Sequence, residues 1–241
     1  MDGSFVDAVE RISNESVKIE KDGRIYSPLE MKPVMYNPRP DAIKVQSLTA
    51  ISDYLKANRD ALDLSKLIVH VVSPTQVVLL SDLNGENRKR DSFLVADFDG
   101  IVFPFGKWLS IEEFIIAANA LIIQTDTRDD LLSLASRITV SNESEIADTG
   151  ISQNVTVRQG TRGNLTENKA APSRVTLQPF RTFREITQPA GEFLFRMRAD
   201  SEGTVTISLH EADGGAWKPR AMESISDWLK ANCPDTLAVI A

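Results

Sequence analysis

A single cysteine, Cys233, excludes an intramolecular disulfide and any Cys-x-x-Cys metal or redox motif. Histidine is almost as scarce: only His70 and His210 occur, and neither has a second His, a Cys or a close carboxylate pair at zinc-ligand spacing. The sequence therefore predicts no metal site and no cofactor. Ser-His-Asp catalysis lacks a nucleophile-elbow string to carry it. No apolar run approaches the ~18 residues of a membrane-spanning helix. The opening Met1-Asp2-Gly3-Ser4 has neither a basic nor an apolar leader, so a cytoplasmic protein is expected and the Asn-x-Ser/Thr triplets at Asn14, Asn142, Asn154 and Asn164 read as coincidental.

Charge is present but unevenly placed. The net charge is −7 over 241 residues. Residues 1–150 hold 16 basic and 24 acidic side chains, whereas 151–220 hold 10 basic and 7 acidic, all but two of those basics being Arg. Bulk charge of this sign does not attract nucleic acid, but a local Arg-rich face can still hold an anion.

The most distinctive feature is an internal echo. Ile51-Ser52-Asp53-Tyr54-Leu55-Lys56-Ala57-Asn58 recurs as Ile225-Ser226-Asp227-Trp228-Leu229-Lys230-Ala231-Asn232, with only Tyr exchanged for Trp. Each copy has helical apolar spacing and is followed by a strand-like run, Leu67-Ile68-Val69 or Leu237-Ala238-Val239-Ile240. Ile225, Trp228 and Leu229 form an apolar stripe that suits core packing. If the second copy docks on another subunit where the first docks within its own, the stripe is instead an oligomer interface, with the chain itself as partner.

Local signals set the remaining elements. A helix is expected over about 4–13, and a hairpin around Lys21-Asp22-Gly23. Prolines keep 27–41 extended. Leu67–Val72, Gln76–Leu80 and Ser92–Ala96 read as an antiparallel meander, because their connections are too short for parallel crossovers. Ser110 and Glu113 stand in capping-box spacing at a helix start, and Thr127-Arg128-Asp129-Asp130 caps another helix. From Ile138 the pattern alternates, through Thr139-Val140, Val155–Val157, Val175–Leu177, Phe193–Arg198 and Val205–Leu209. Residues 160–172 are polar and read as a long loop, and a last helix starts near Pro219. The expected fold is α+β: an antiparallel β-meander with packed helices, continuing into a larger antiparallel sheet closed by the C-terminal helix. Its parts are 1–137 and 138–241, as two domains or one continuous domain.

Three constellations carry possible chemistry. If Phe193, Phe195 and Met197 face a core, Arg196 and Arg198 point outward, and Thr206, Ser208 and His210 share that wet side. With Arg158 and Arg174 they make a surface able to fork a phosphate or carboxylate. Second, Phe180, Phe183 and Trp217 beside Arg181 and Arg184 are the candidate platforms of a single-stranded nucleic-acid binder. Third, Asp97-Phe98-Asp99-Gly100 after an apolar strand resembles the first motif of haloacid-dehalogenase-type phosphatases, which implies a magnesium-dependent hydrolase with Asp97 as nucleophile, Asp99 as acid/base and Thr125 after a later apolar run. Ile101 stands where that family usually has Thr, and the strands before it read as antiparallel.

The order of features is similar to the YfdQ-like family of phage and prophage proteins, a domain of unknown function. The similarity runs from Tyr54-Leu55 through Trp108 and the Ser110–Phe114 helix start to Pro172–Leu177, Phe193–Arg198 and Thr206–Glu211. It implies a phage or prophage accessory role in the cytoplasm of a bacterial host and brings no catalytic residue with it. The expectation is a non-enzymatic homo-oligomer that binds or sequesters a nucleotide signal or nucleic acid, with no catalytic residue assigned.

Overall fold

The computed structural model describes Asp7, Arg11 and residues 19–21, 24–26, 40–85, 88–140, 143–148, 153–158, 166–200 and 204–241. The chain divides into two compact units, Met1–Arg39 and Pro40–Ala241. In the first, β1 (Ile19–Lys21) pairs antiparallel with β2 (Arg24–Tyr26), the hairpin expected around Asp22-Gly23. Asp7 and Arg11 are helical. The rest of the helix expected over 4–13 and the extended segment at 27–39 lie outside the described residues.

The second unit is built on two cores. In the first, β4 (Leu67–Ser73), β5 (Gln76–Ser81) and β6 (Ser92–Asp97) form the expected antiparallel meander. Both its edges are closed by parallel strands: β3 (Ile43–Val45) lies beside β6, and β14 (Ala238–Ile240) beside β4. One face of this sheet, with Leu67, Val69, Val71, Val77, Leu79, Leu94 and Ala96, is buried under α1 (Leu48–Ala57) and α4 (Trp217–Asn232). The Ser47 hydroxyl caps α1 by accepting from Ala50 N, and Asn58 ends it in the left-handed conformation that Asn tolerates. Pro219 sits in the first turn of α4, where its missing N–H costs nothing.

The echo is thereby an architectural repeat. Each copy is a helix leading to a strand, the two strands are parallel neighbours in register Val69↔Val239, and the two helices cover the same sheet face. Ser52 is buried between the helices and its hydroxyl donates to Asn232 O at 2.7 Å. Ile51, Leu55, Ile225 and Leu229 are 0–1 % exposed, and half-buried Trp228 packs against the same cluster. This overturns the interface assignment for Ile225 and Leu229, whose apolar surface is already consumed inside their own chain, whereas Trp228 keeps part of its ring exposed.

The second core lies under a four-stranded sheet in the order β11 (Arg174–Leu177), β12 (Gly191–Ala199), β13 (Val205–Glu211), β7 (Leu109–Ser110). Phe193, Phe195, Met197, Val205, Ile207 and Leu209 point into it and meet α2 (Ile111–Leu121) and α3 (Asp126–Val140). The capping box of α2 is present: Ser110 Oγ accepts from Glu113 N, and Glu113 Oε2 accepts from Ser110 N at 2.9 Å. A third sheet has the order β10 (Thr166–Ala171), β9 (Gln153–Arg158), β8 (Glu143–Asp148).

Two local expectations are corrected. Ile138-Thr139-Val140 ends α3 rather than opening a strand, because Leu131, Ala135 and Ile138 make a buried stripe at helical spacing. Residues 166–171 are a strand rather than loop, because β9 supplies their backbone partners although their side chains carry no apolar alternation. The 137/138 division runs through α3, and both larger sheets take a strand from its far side. No helix among the described residues is long and apolar enough to cross a membrane.

Two measurements follow from this packing. Ile225→Ala is expected to cost about 2–5 kcal/mol in urea unfolding with the mass by light scattering unchanged; a lower mass with an intact fold would return the stripe to an interface. Burial and the bond to Asp60 push the Tyr54 pKa up to about 12. Its folded-state pKa is raised, so the stability it contributes is complete below the ordinary pKa of 10 and is lost as pH rises from 10 to about 12. Wild type should therefore lose stability against Tyr54→Phe over that window, read from denaturant midpoints.

Candidate functional site

The alternation that buries Phe193, Phe195 and Met197 turns Leu194, Arg196 and Arg198 to the opposite face of β12. Cross-strand register then gathers the expected side chains. Arg174, Leu194 and His210 form one row, Arg196 lies opposite Ser208, and Arg198 lies opposite Thr206, which itself lies opposite Ser110. Arg198 Nε donates to Thr206 Oγ1 at 3.2 Å, and its guanidinium sits 4.3 Å from the centre of the Trp108 ring. Trp108 also meets the His210 ring edge-on at 6.4 Å, and His210 Nε2 lies 3.1 Å from the hydroxyl of fully buried Ser208. Four of the five predicted residues, Arg174, Arg196, Arg198 and His210, thus share one face. Arg158 does not: it lies on β9 in the three-stranded sheet, in register with Glu143 and Thr166.

Trp108 is the member that sequence reasoning missed. Its position before a capped helix was legible, but its place over Arg198 depends on two residues, Leu109 and Ser110, pairing with Ile207 and Thr206 of β13. Arg174 is exposed and ion-paired with Glu192 at 3.1 Å, which offsets its charge at that end of the row.

The aromatic platform proposed around Arg181 is overturned. Phe183 is fully buried and Trp217 is buried, so neither ring offers a face to a base. Arg181 is itself 3 % exposed, 4.1 Å from the Trp217 ring centre and 5.5 Å from that of Phe193, and its Nη1 donates to Glu211 Oε1 at 2.7 Å. Burial pulls its pKa below the usual guanidinium value, while Glu211 and Asp213 act in the opposite direction. Gly191 makes room for it: a Cβ there would come within 2.6 Å of Arg181 Nη2 and 2.9 Å of Asp213 Oδ2. Of the original group only Arg184 over Phe180, at 4.3 Å, remains on the surface.

Asp97 and Asp99 are exposed and each accepts from a glutamine, Gln76 Nε2 at 2.8 Å and Gln46 Nε2 at 3.0 Å. β6 runs antiparallel to its inner neighbour β5, unlike the nucleophile strand of the phosphatase family it resembles at this string. Thr125 caps α3, accepting from Arg128 N, and α3 packs on the other core. His70 is half-buried on β4, paired between Val78 and Ile240. Among the described residues no group of three His, Cys, Asp or Glu side chains could hold a metal ion.

The buried and exposed arginines should respond differently to the same change. Arg181→Lys loses the planar fork and its stacking and is expected to cost about 1–3 kcal/mol. Arg174→Lys should stay within roughly 0.5 kcal/mol; equal shifts in thermal unfolding would remove the structural role given to Arg181.

Comparison with models of protein families, with curated proteins and with solved structures returned no match.

Proposed function

We propose that this protein binds an anionic ligand, a nucleotide or a short nucleic-acid strand, on the outer face of the four-stranded sheet, and acts by binding rather than turnover. The observation that carries this reading is the grouping of Arg196, Arg198 and His210 with the Trp108 ring in one cross-strand register. Arginine offers a planar fork of donors that matches phosphate oxygens, and an indole offers a base or sugar a stacking surface. Both are held in place before a ligand arrives: Arg198 by Thr206 and Trp108, His210 by Ser208. Preorganised donors spend less side-chain entropy on binding than mobile ones. A phage or prophage accessory role, which the similarity in element order implies, agrees with such a sequestering activity.

A fluorescein-labelled oligothymidylate, with unlabelled ATP as competitor, tests the face. Arg196→Ala and Arg198→Ala should each weaken binding roughly tenfold, Trp108→Ala should weaken it further for bases than for inorganic phosphate, and affinity should fall as salt rises. Arg158→Ala should leave it unchanged. Equal affinity in wild type and the Arg196/Arg198 double variant would sink the proposal.

A further inference from the structure

Only two histidines occur in the chain, and the fold sets them on different sheets. His70 lies on β4 between Val78 and Ile240, in the five-stranded sheet. His210 stands on β13, beside the arginines of the four-stranded sheet. Imidazole is the side chain that ordinarily changes charge between about pH 5 and 8, whereas a guanidinium keeps its charge throughout. His210 is thus the titratable member of the arginine face.

Its ring is held so that the imidazolium form presents a donor outward. Nε2 lies 3.1 Å from the hydroxyl of Ser208, which is fully buried. That hydroxyl keeps its partner in both states: it donates to a bare Nε2 and accepts from a protonated one. Nδ1 is turned the other way, towards the exposed turn at Gly106, where a Cβ would stand 4.0 Å from it. Gly106 has φ +74° and its N–H donates to Leu209 O at 2.8 Å, which ties the turn to the strand carrying His210. The Trp108 ring meets His210 edge-on at 6.4 Å and carries Arg198 at 4.3 Å, so both cationic groups flank one indole.

Charged groups surround His210 on three sides. Across β12, Arg196 lies one row away and Arg198 two, while Glu192 on the other side pairs with Arg174 at 3.1 Å. Exposed Lys107 precedes Trp108 in the adjoining turn. On β13 itself, the neighbouring Glu211 is engaged by Arg181. Among the described residues no carboxylate pairs with His210. A bound anion is therefore the counter-charge that an imidazolium here would meet. On the anion-binding reading above, on which this rests, we propose that binding at this face is coupled to protonation of His210. The ligand binds the imidazolium form more tightly, and its binding draws a proton onto the ring. Such coupling is reciprocal: what tightens binding at low pH also drives proton uptake on binding. The ligand is held more firmly as pH falls through the imidazole range and is released as pH rises.

The test uses the full chain and a rhodamine-labelled oligothymidylate, whose phosphodiesters keep their charge throughout the window. Anisotropy at constant salt should give an affinity about tenfold higher at about pH 6 than at about pH 8.5. His210→Gln, whose amide can still meet Ser208, should bind with an affinity that no longer varies with pH. His70→Gln should keep the full variation. Calorimetry of the wild type near about pH 7, in two buffers of different ionisation enthalpy, should read an uptake of up to about one proton per ligand. That measurement decides the matter even where His210→Gln fails to fold. Equal affinity across the window, no proton uptake, or a pH dependence that persists in His210→Gln would overturn the coupling and leave the anion face standing. No binding at any pH would remove the face itself, and the coupling with it.

Discussion

A buried guanidinium joins the two cores of the second unit. Arg181 lies between Phe193, which belongs to the core under the four-stranded sheet, and Trp217, which opens α4 over the five-stranded one. Taking a cation out of water is costly unless its donors are met and counter-charge is near. Here the Glu211 carboxylate and the Pro189 carbonyl accept from the two Nη atoms and two aromatic faces cover the cation, while its buried Nε has no hydrogen-bond partner among the described residues. The following loop is fixed with equal care. Gln188 accepts from Arg181 N and donates to Phe183 O, which seats Phe183 and Ile186 in the first core. Glu185 then accepts from Thr49 N at the start of α1, at 3.0 Å. One connection between β11 and β12 thus places both layers and orients the first echo helix.

The repeated helix–strand unit explains why the first sheet is mixed. The meander alone is antiparallel and would leave β4 and β6 as open edges. Adding β14 beside β4 in parallel requires a helix in the connection, and α4 supplies it with the apolar spacing of α1. Small, polar Ser52 lets the two helices approach and donates its hydroxyl proton to the Asn232 carbonyl at the end of α4. The stripe that reads in isolation as a sticky surface is the means by which α4 is packed onto the sheet face that α1 also covers.

The arginine face proposed above to hold an anion has the same origin as the stability of the second sheet. Period-two alternation that buries three residues of β12 necessarily displays those between them, and pairing with β13 lines the two sets up. The fold therefore presents an arginine face without spending core residues on it.

The sequence alone determined what depends on neighbours along the chain. The hairpin at Lys21–Arg24, the cap at Ser110, the meander strands and the shared face of Arg196, Arg198 and His210 all follow from local turn chemistry, capping and side-chain period. Tertiary structure decided what depends on distant partners. The parallel pairing of Val239 with Val69, the strand at 166–171, the burial of Arg181 and the placing of Trp108 over Arg198 involve contacts whose partners no local pattern names. The fate of Ile225, Trp228 and Leu229 shows the reason: an apolar stripe states that it must be covered, and only the packed chain states by what.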